Sequence, residues 1–209
     1  GYFVDVFQNV WFDTVYHEHL DYHTVKPLIP FFTKFDMRVL GVERIKPQGG
    51  SIRVITGKNS ELMEQDDSVA DLVRMEEDLG VGDKHNLKSF EAHINGVRDD
   101  LVAIVRKLHS QGHSIVGYGA PTKATTLLTH FQLGDILDFI VDDNPLKQNL
   151  FSPGHDIPVR SADEIYTSRP DYVLILAWNF GEAIMEKHDL YRQQGGRFIL
   201  PMPSPHIVS

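Results

Sequence analysis

The chain has 209 residues, enough for one large domain or two small ones and for a sizeable buried core. A formal net charge of −9 at pH 7 disfavours general attraction to nucleic acid or to an anionic membrane. The absence of cysteine excludes disulfides, thiolate metal sites and thiol nucleophiles together, and it fits a reducing compartment. No apolar run has bilayer-spanning length, and the first residues lack a signal-peptide layout, so a cytoplasmic globular protein is expected.

In chain order, the first stretch, GYFVDVFQNVWFDTVYHEHL, is apolar and rich in aromatics. A helix is expected around Val25–Phe35, with Leu28, Ile29, Phe31, Phe32 and Phe35 on one face. Pro27 suits a first turn, whereas Pro30 blurs where that helix begins. The runs MRVLGVERI and SIRVIT, joined by the turn-prone KPQGG, read as an antiparallel hairpin. Residues 58–111 are polar and charged, with helical spacing at Val69, Leu72 and Val73. The spacing returns at Ile94, Val97, Leu101, Ile104, Val105 and Leu108, predicting a long amphipathic helix that stops at Gln111-Gly112. GVGDKHN at 80–86 comes nearest to a linker.

From His113 onward strands and helices alternate. IVGYG, DFIVDDN, PDYVLILAWN and RFILPMP read as four strands, the third so continuously apolar that both its faces should be buried. Such alternation predicts a parallel α/β sheet in a compact Rossmann-like unit. Its first turn, Gly117-Tyr118-Gly119-Ala120-Pro121-Thr122-Lys123, follows a strand and opens a helix. Glycines there let the backbone approach an anion, the helix start offers unpaired N–H groups, and Lys123 adds a charge. The turn is neither GxGxxG, since Thr122 holds the last glycine's place, nor a Walker loop. Phosphate binding is favoured over a turn whose glycines serve geometry alone. Asp142 and Asp143 end the second strand, where an acid takes ribose hydroxyls or simply opens a solvated turn.

The stretch VYHEHLDYH at 15–23 allows three readings. A metal could use His17 with His19, or His19 with His23, but HExxH fails because Asp21 holds the closing position. Proton transfer would use a histidine oriented by a neighbour, with Glu18 and Tyr16 as candidates. On the residues alone a solvated loop ranks first, an acid–base site second and a metal third.

Seven blocks in order change that ranking: FDTVYHEHL, GGSIRV, GYGAPTKATTLL, VDDNPLKQ, PGHDIPV, PDYVLILAWNF and GGRFILPMP. With them, over nearly the whole chain, the sequence resembles the C-terminal portion of the sugar C-methyltransferases. Those enzymes use S-adenosylmethionine to methylate a carbon of a nucleotide-linked keto-deoxysugar. The family usually has histidine before the paired glycines, where this chain has Gln48.

The resemblance implies three segments. Residues 1–57 are the helix and β-hairpin ending a methyltransferase domain, 58–112 a helical connector, and 113–209 a Rossmann-like nucleotide-sugar-binding domain. It implies His19 as the base, with Glu18 and Tyr16 beside it, and a substrate site at Gly117, Tyr118, Gly119, Ala120, Pro121, Lys123 and Asp142. Family members run to about twice this length, so a C-terminal fragment is expected. S-adenosylmethionine would be held mainly by a cofactor loop outside it, and no metal is required. The partner implied is a nucleotide-diphosphate sugar, with oligomeric state open. A non-catalytic nucleotide-sugar or dinucleotide-binding module is the alternative. A NAD-dependent oxidoreductase is disfavoured by the absent third glycine.

Overall fold

The computed structural model describes residues 1–47, 50–60 and 63–208. They divide into two compact units, one of Gly1–Phe12 with His17–His93, the other of Asp13–Tyr16 with the chain from Ile94 onward. The division near residue 93 falls inside one helix, and the short piece 13–16 belongs to the second unit although first-unit residues flank it.

The first unit begins with α1 (Phe3–Asn9) and α2 (Val25–Thr33). It continues through β1 (Met37–Ile45), β2 (Ser51–Lys58) and α3 (Asp67–Leu79). β1 and β2 form the expected antiparallel hairpin, with a bulge between Val39 and Gly41. Tyr2, Val4, Val25, Val39, Val42 and Val69 close the core. No side chain at Thr24 caps α2. Instead Glu76, 3 % exposed, reaches from α3 and accepts from the N–H groups of Val25 (2.6 Å) and Lys26 (3.0 Å) and from the Tyr2 hydroxyl (3.0 Å). A carboxylate so placed satisfies helix-start donors and complements the positive end of the helix dipole.

The long helix expected to stop at Gln111-Gly112 is α4 (Lys84–Ser110), and the spacing near Val69 belongs to the separate helix α3. The break has a local cause. Gly80, at φ +60°, turns α3 off in the left-handed region, and the Asp83 carboxylate accepts from His85 and Asn86 N–H groups to start α4. The segment 80–86 is therefore a stop and a start.

The second unit holds β3 (Ile115–Tyr118), β4 (Ile140–Asp142), β5 (Val159–Ser161), β6 (Tyr172–Ile175), β7 (Arg197–Leu200) and β8 (His206–Val208). They pair in the order β5-β4-β3-β6-β7-β8, all parallel except β8. The helices α5 (Thr122–Phe131), α6 (Glu164–Ser168), α7 (Gly181–Lys187) and α8 (Asp189–Gln193) fill the connections. The four expected strands are present, extended by β5 and β8. Every residue of β3 and β6 is buried, as a sheet covered on both faces requires. The strand order is that of a doubly wound α/β sheet, reversing between β3 and β6. A ligand crevice belongs outside the carboxyl ends of those strands. Among the described residues no helix is long and apolar enough to cross a membrane.

Candidate functional site

At the switch point β3 runs into the glycine turn, and the turn is held from three sides. Gly119 N–H donates to Val141 O at 2.7 Å, and the Tyr118 carbonyl accepts from Leu176 and Ala177 N–H groups at 2.9 and 3.2 Å. A Cβ at Gly119 would lie 2.6 Å from Ala177 Cβ, on a backbone at φ +89°. At Gly117 a Cβ would stand 2.9 Å from Leu176 Cδ1. Gly119 is therefore demanded by its backbone and by packing against Ala177 just beyond β6, whereas a Cβ at Gly117 would have to displace the Leu176 side chain. Asp142 at the end of β4 accepts from Ala120 N–H (2.7 Å) and Asn144 N–H (2.8 Å), and Lys147 lies 3.4 Å from it. Its carboxylate pins the turn. Beyond it α5 follows its N-cap Pro121, whose side chain makes no capping hydrogen bond, so the amides of Thr122 and Lys123 open the helix without a side-chain acceptor from the cap.

Lys123, in that first turn, is 15 % exposed at its side chain and already partnered. Its ammonium donates to Asn179 Oδ1 at 2.6 Å, lies 3.8 Å from Asp13 Oδ2 and sits 4.7 Å from the centre of the Trp178 ring. Asp13 is fully buried and accepts from Trp178 Nε1 at 2.6 Å, while its Oδ1 has no hydrogen-bond partner among the described residues. Burial pushes the Asp13 carboxyl above its ordinary value, against the pull of Lys123 and Trp178. Burial likewise pushes the Lys123 ammonium down, opposed by Asp13. The adjoining Val15 carbonyl accepts from Thr126 Oγ1 at 3.2 Å.

Tyr118 points into the interior of the same unit. Its hydroxyl donates to Asp143 Oδ2 at 2.9 Å and meets His188 Nε2 at 2.7 Å, while His188 Nδ1 meets the Tyr166 hydroxyl at 2.9 Å. One proton arrangement satisfies the chain: Tyr166 donates to Nδ1, Nε2–H donates to Tyr118, and Tyr118 donates to the carboxylate. His188 is 4 % exposed, and burial followed by the neighbouring Lys187 charge pushes its imidazole below its ordinary value, keeping it neutral. Burial works to raise the Asp143 carboxyl, but hydrogen bonds from Lys187 (2.5 Å) and Tyr118 hold it below the ordinary range. Burial first, then Asp143, pushes the Tyr118 phenol up.

The other predicted residues sit around a stretch of bends and turns. Tyr16 belongs to the second unit and is half-buried; Glu18 and His19 belong to the first, Glu18 exposed and His19 half-buried. His19 Nδ1 lies 3.3 Å from the Tyr22 hydroxyl, which can orient the ring. Within the second unit the structure brings Gly117, Gly119, Ala120, Lys123 and Asp142 together around one turn. Gln48 lies outside the described residues. The residues that sequence reasoning missed are Asp13, Trp178 and Asn179. A signal existed in each: an aspartate set among Val10, Trp11, Phe12 and Val15, and a polar pair closing the buried run VLILA.

Among the described residues no group of three or more His, Asp or Glu is placed to hold a metal ion. The glycine turn itself offers no free acid for ribose hydroxyls: Ala177 packs against Gly119, and Asp142, at the position that would take them, is committed to backbone amides.

Compared with known families, residues 46–203 match the C-methyltransferase C-terminal domain. The chain is 34% identical over 209 residues to the C-methyltransferase NovU of Streptomyces niveus. That alignment takes in 100% of this chain and 50% of the relative, so the chain spans about half the length of the curated protein it matches.

Proposed function

This chain belongs to the C-methyltransferase family, and from that premise we propose what it contributes. It is the substrate-binding and base-supplying portion of an S-adenosylmethionine-dependent enzyme acting on a nucleotide-diphosphate-linked keto-deoxysugar. The observation that carries the reading is the C-terminal-domain match, which spans a doubly wound sheet with an uncapped helix start at its switch point. The diphosphate lies against the first-turn amides of α5, with the Lys123 ammonium beside it. Because Asp13 already shares that charge, the backbone supplies most of the contact.

The chemistry asked of the chain is the removal of a proton. A hydrogen on the carbon next to a ketone is acidic enough for a positioned base, and its loss leaves a nucleophilic enolate carbon. His19 takes the proton, Tyr22 at Nδ1 orients its ring, and Glu18 and Tyr16 stabilise the imidazolium and the enolate oxygen.

Calorimetry with the 209-residue chain tests the reading, using thymidine diphosphate, thymidine, NAD and S-adenosylhomocysteine in turn. Thymidine diphosphate should bind at least about tenfold more tightly than thymidine, the scale of charge-assisted contacts to phosphate. The other two ligands should bind more weakly still. Equal affinity for thymidine and its diphosphate would remove the anion site, and tighter binding of NAD would favour a dinucleotide module.

A further inference from the structure

The sharpest feature outside the proposed chemistry is the fully buried Asp13, three residues before Tyr16 and six before His19. An aspartate is almost never fully buried without a paired role. Its contacts are Trp178, just beyond β6, and Lys123, in the first turn of α5. Asn179 holds the other side of the same ammonium, so the two carboxyl ends flanking the switch point converge on one side chain from a distant part of the sequence. The Val15 carbonyl, held by Thr126 of α5, adds a second fixed point two residues on. With Asp13 and Val15 both bound to the parallel-sheet unit, the backbone entering Tyr16 has a set direction.

We infer that Asp13 is a positioning residue: with Trp178, Lys123 and Asn179 it latches the start of the Tyr16–His19 segment to the switch point of the parallel sheet. Its value for catalysis rests on the reading of His19 as the base, whereas the latch itself does not. The carboxylate supplies an acceptor for the indole N–H and a counter-charge for Lys123, two contacts in different directions that fix a short side chain better than either alone. Lys123 stands in the first turn of α5, so the latch is anchored where the proposed diphosphate site begins.

The test separates a local latch from a general contribution to stability. In Asp13→Ala, cleavage of the Glu18–His19 bond by a glutamyl endoproteinase is followed by mass spectrometry, alongside amide exchange in β3, β4, β6 and β7. Loss of the latch should speed that cleavage about tenfold or more beyond whatever acceleration the same substitution causes in strand exchange. Asp13→Asn keeps an acceptor for Trp178 and should lie between the two. Should Asp13→Ala fail to fold, Trp178→Phe removes only the indole donor and its neighbouring ring atoms, and the same acceleration is expected. Unchanged cleavage, or cleavage rising only in step with strand exchange, would overturn the latch. Neither result would bear on His19, which is judged separately by whether His19→Asn in the longer enzyme abolishes solvent-deuterium exchange at the substrate carbon.

Discussion

Replacing Lys123 by methionine keeps an unbranched apolar side chain and removes the ammonium that sits over the Trp178 ring and faces Asp13. Removing one partner of a buried ion pair costs about 3–5 kcal/mol, because the other charge stays buried and uncompensated. Here the nitrogen–oxygen separation is 3.8 Å and Trp178 Nε1 still donates to Asp13 at 2.6 Å. The loss should therefore fall at or just below the bottom of that range, about 2–3 kcal/mol at pH 7. Its pH dependence has a definite sign. Asp13 already has a raised carboxyl pKa in the fold, so its contribution is present below the unfolded value and lost as pH rises through the folded one. Without Lys123 the folded value rises further and the loss grows. The difference between parent and variant must shrink as pH falls from 7 toward the ordinary carboxylate range near about 4, because folded Asp13 takes up its proton above that range in both. Urea unfolding followed by tryptophan fluorescence measures this, in a Trp11→Phe background so that Trp178 alone reports on the second unit. A difference that stays the same at pH 5 and pH 7, or that falls below about 0.5 kcal/mol at neutral pH, would refute the buried-charge account.

Gly119→Ala should lose roughly 2–5 kcal/mol of stability, because a side chain at φ +89° is strained and its Cβ meets Ala177. Adding Ala177→Gly should restore part of that loss in denaturant unfolding by relieving the contact and not the backbone strain. Tyr118→Phe should cost about 1–3 kcal/mol in the same assay, since it leaves His188 Nε2–H without its acceptor inside the core.

Legibility in the sequence followed the length and burial of each element. The run VLILA reads as a buried strand because a parallel sheet covered on both faces needs apolar residues without alternation, and β6 proves wholly buried. The strands β5 and β8 span three residues each with at most one buried, too short to carry any period. α3 and α4 share an amphipathic pattern across Gly80, and the stop depended on that glycine's left-handed backbone as much as on its identity. The glycine turn of the site was legible as a turn, but why it needs glycine was not, because Ala177 and Leu176 come from another strand end. Lys123 read as a free charge near a phosphate. Its partners Asp13 and Trp178 lie 165 positions from each other, and no local pattern joins them. His188 lies in the charged run MEKHDL, which reads as a wet helix face, yet Tyr118 and Tyr166 enclose it.

Asp13 and Lys123 shift in opposite directions, each for the same physical cause. Burial moves each group toward its neutral form and the partner opposes that shift, so desolvation works against the stability the pair supplies. If it existed to stabilise, neutralising both members should hurt more than neutralising one. If it exists to fix a segment, the expected order is the reverse. Asp13→Asn with Lys123→Met removes both charges and keeps an acceptor for the Trp178 N–H, so no uncompensated charge stays buried. The double variant should be more stable than Lys123→Met alone by about 1–2 kcal/mol at pH 7, with the gap closing in acid as Asp13 in the single variant protonates. Denaturant unfolding of the four chains of this cycle gives the coupling directly. A double variant less stable than either single would mean that the ion pair holds the unit together, and the latch would then be a by-product of stability.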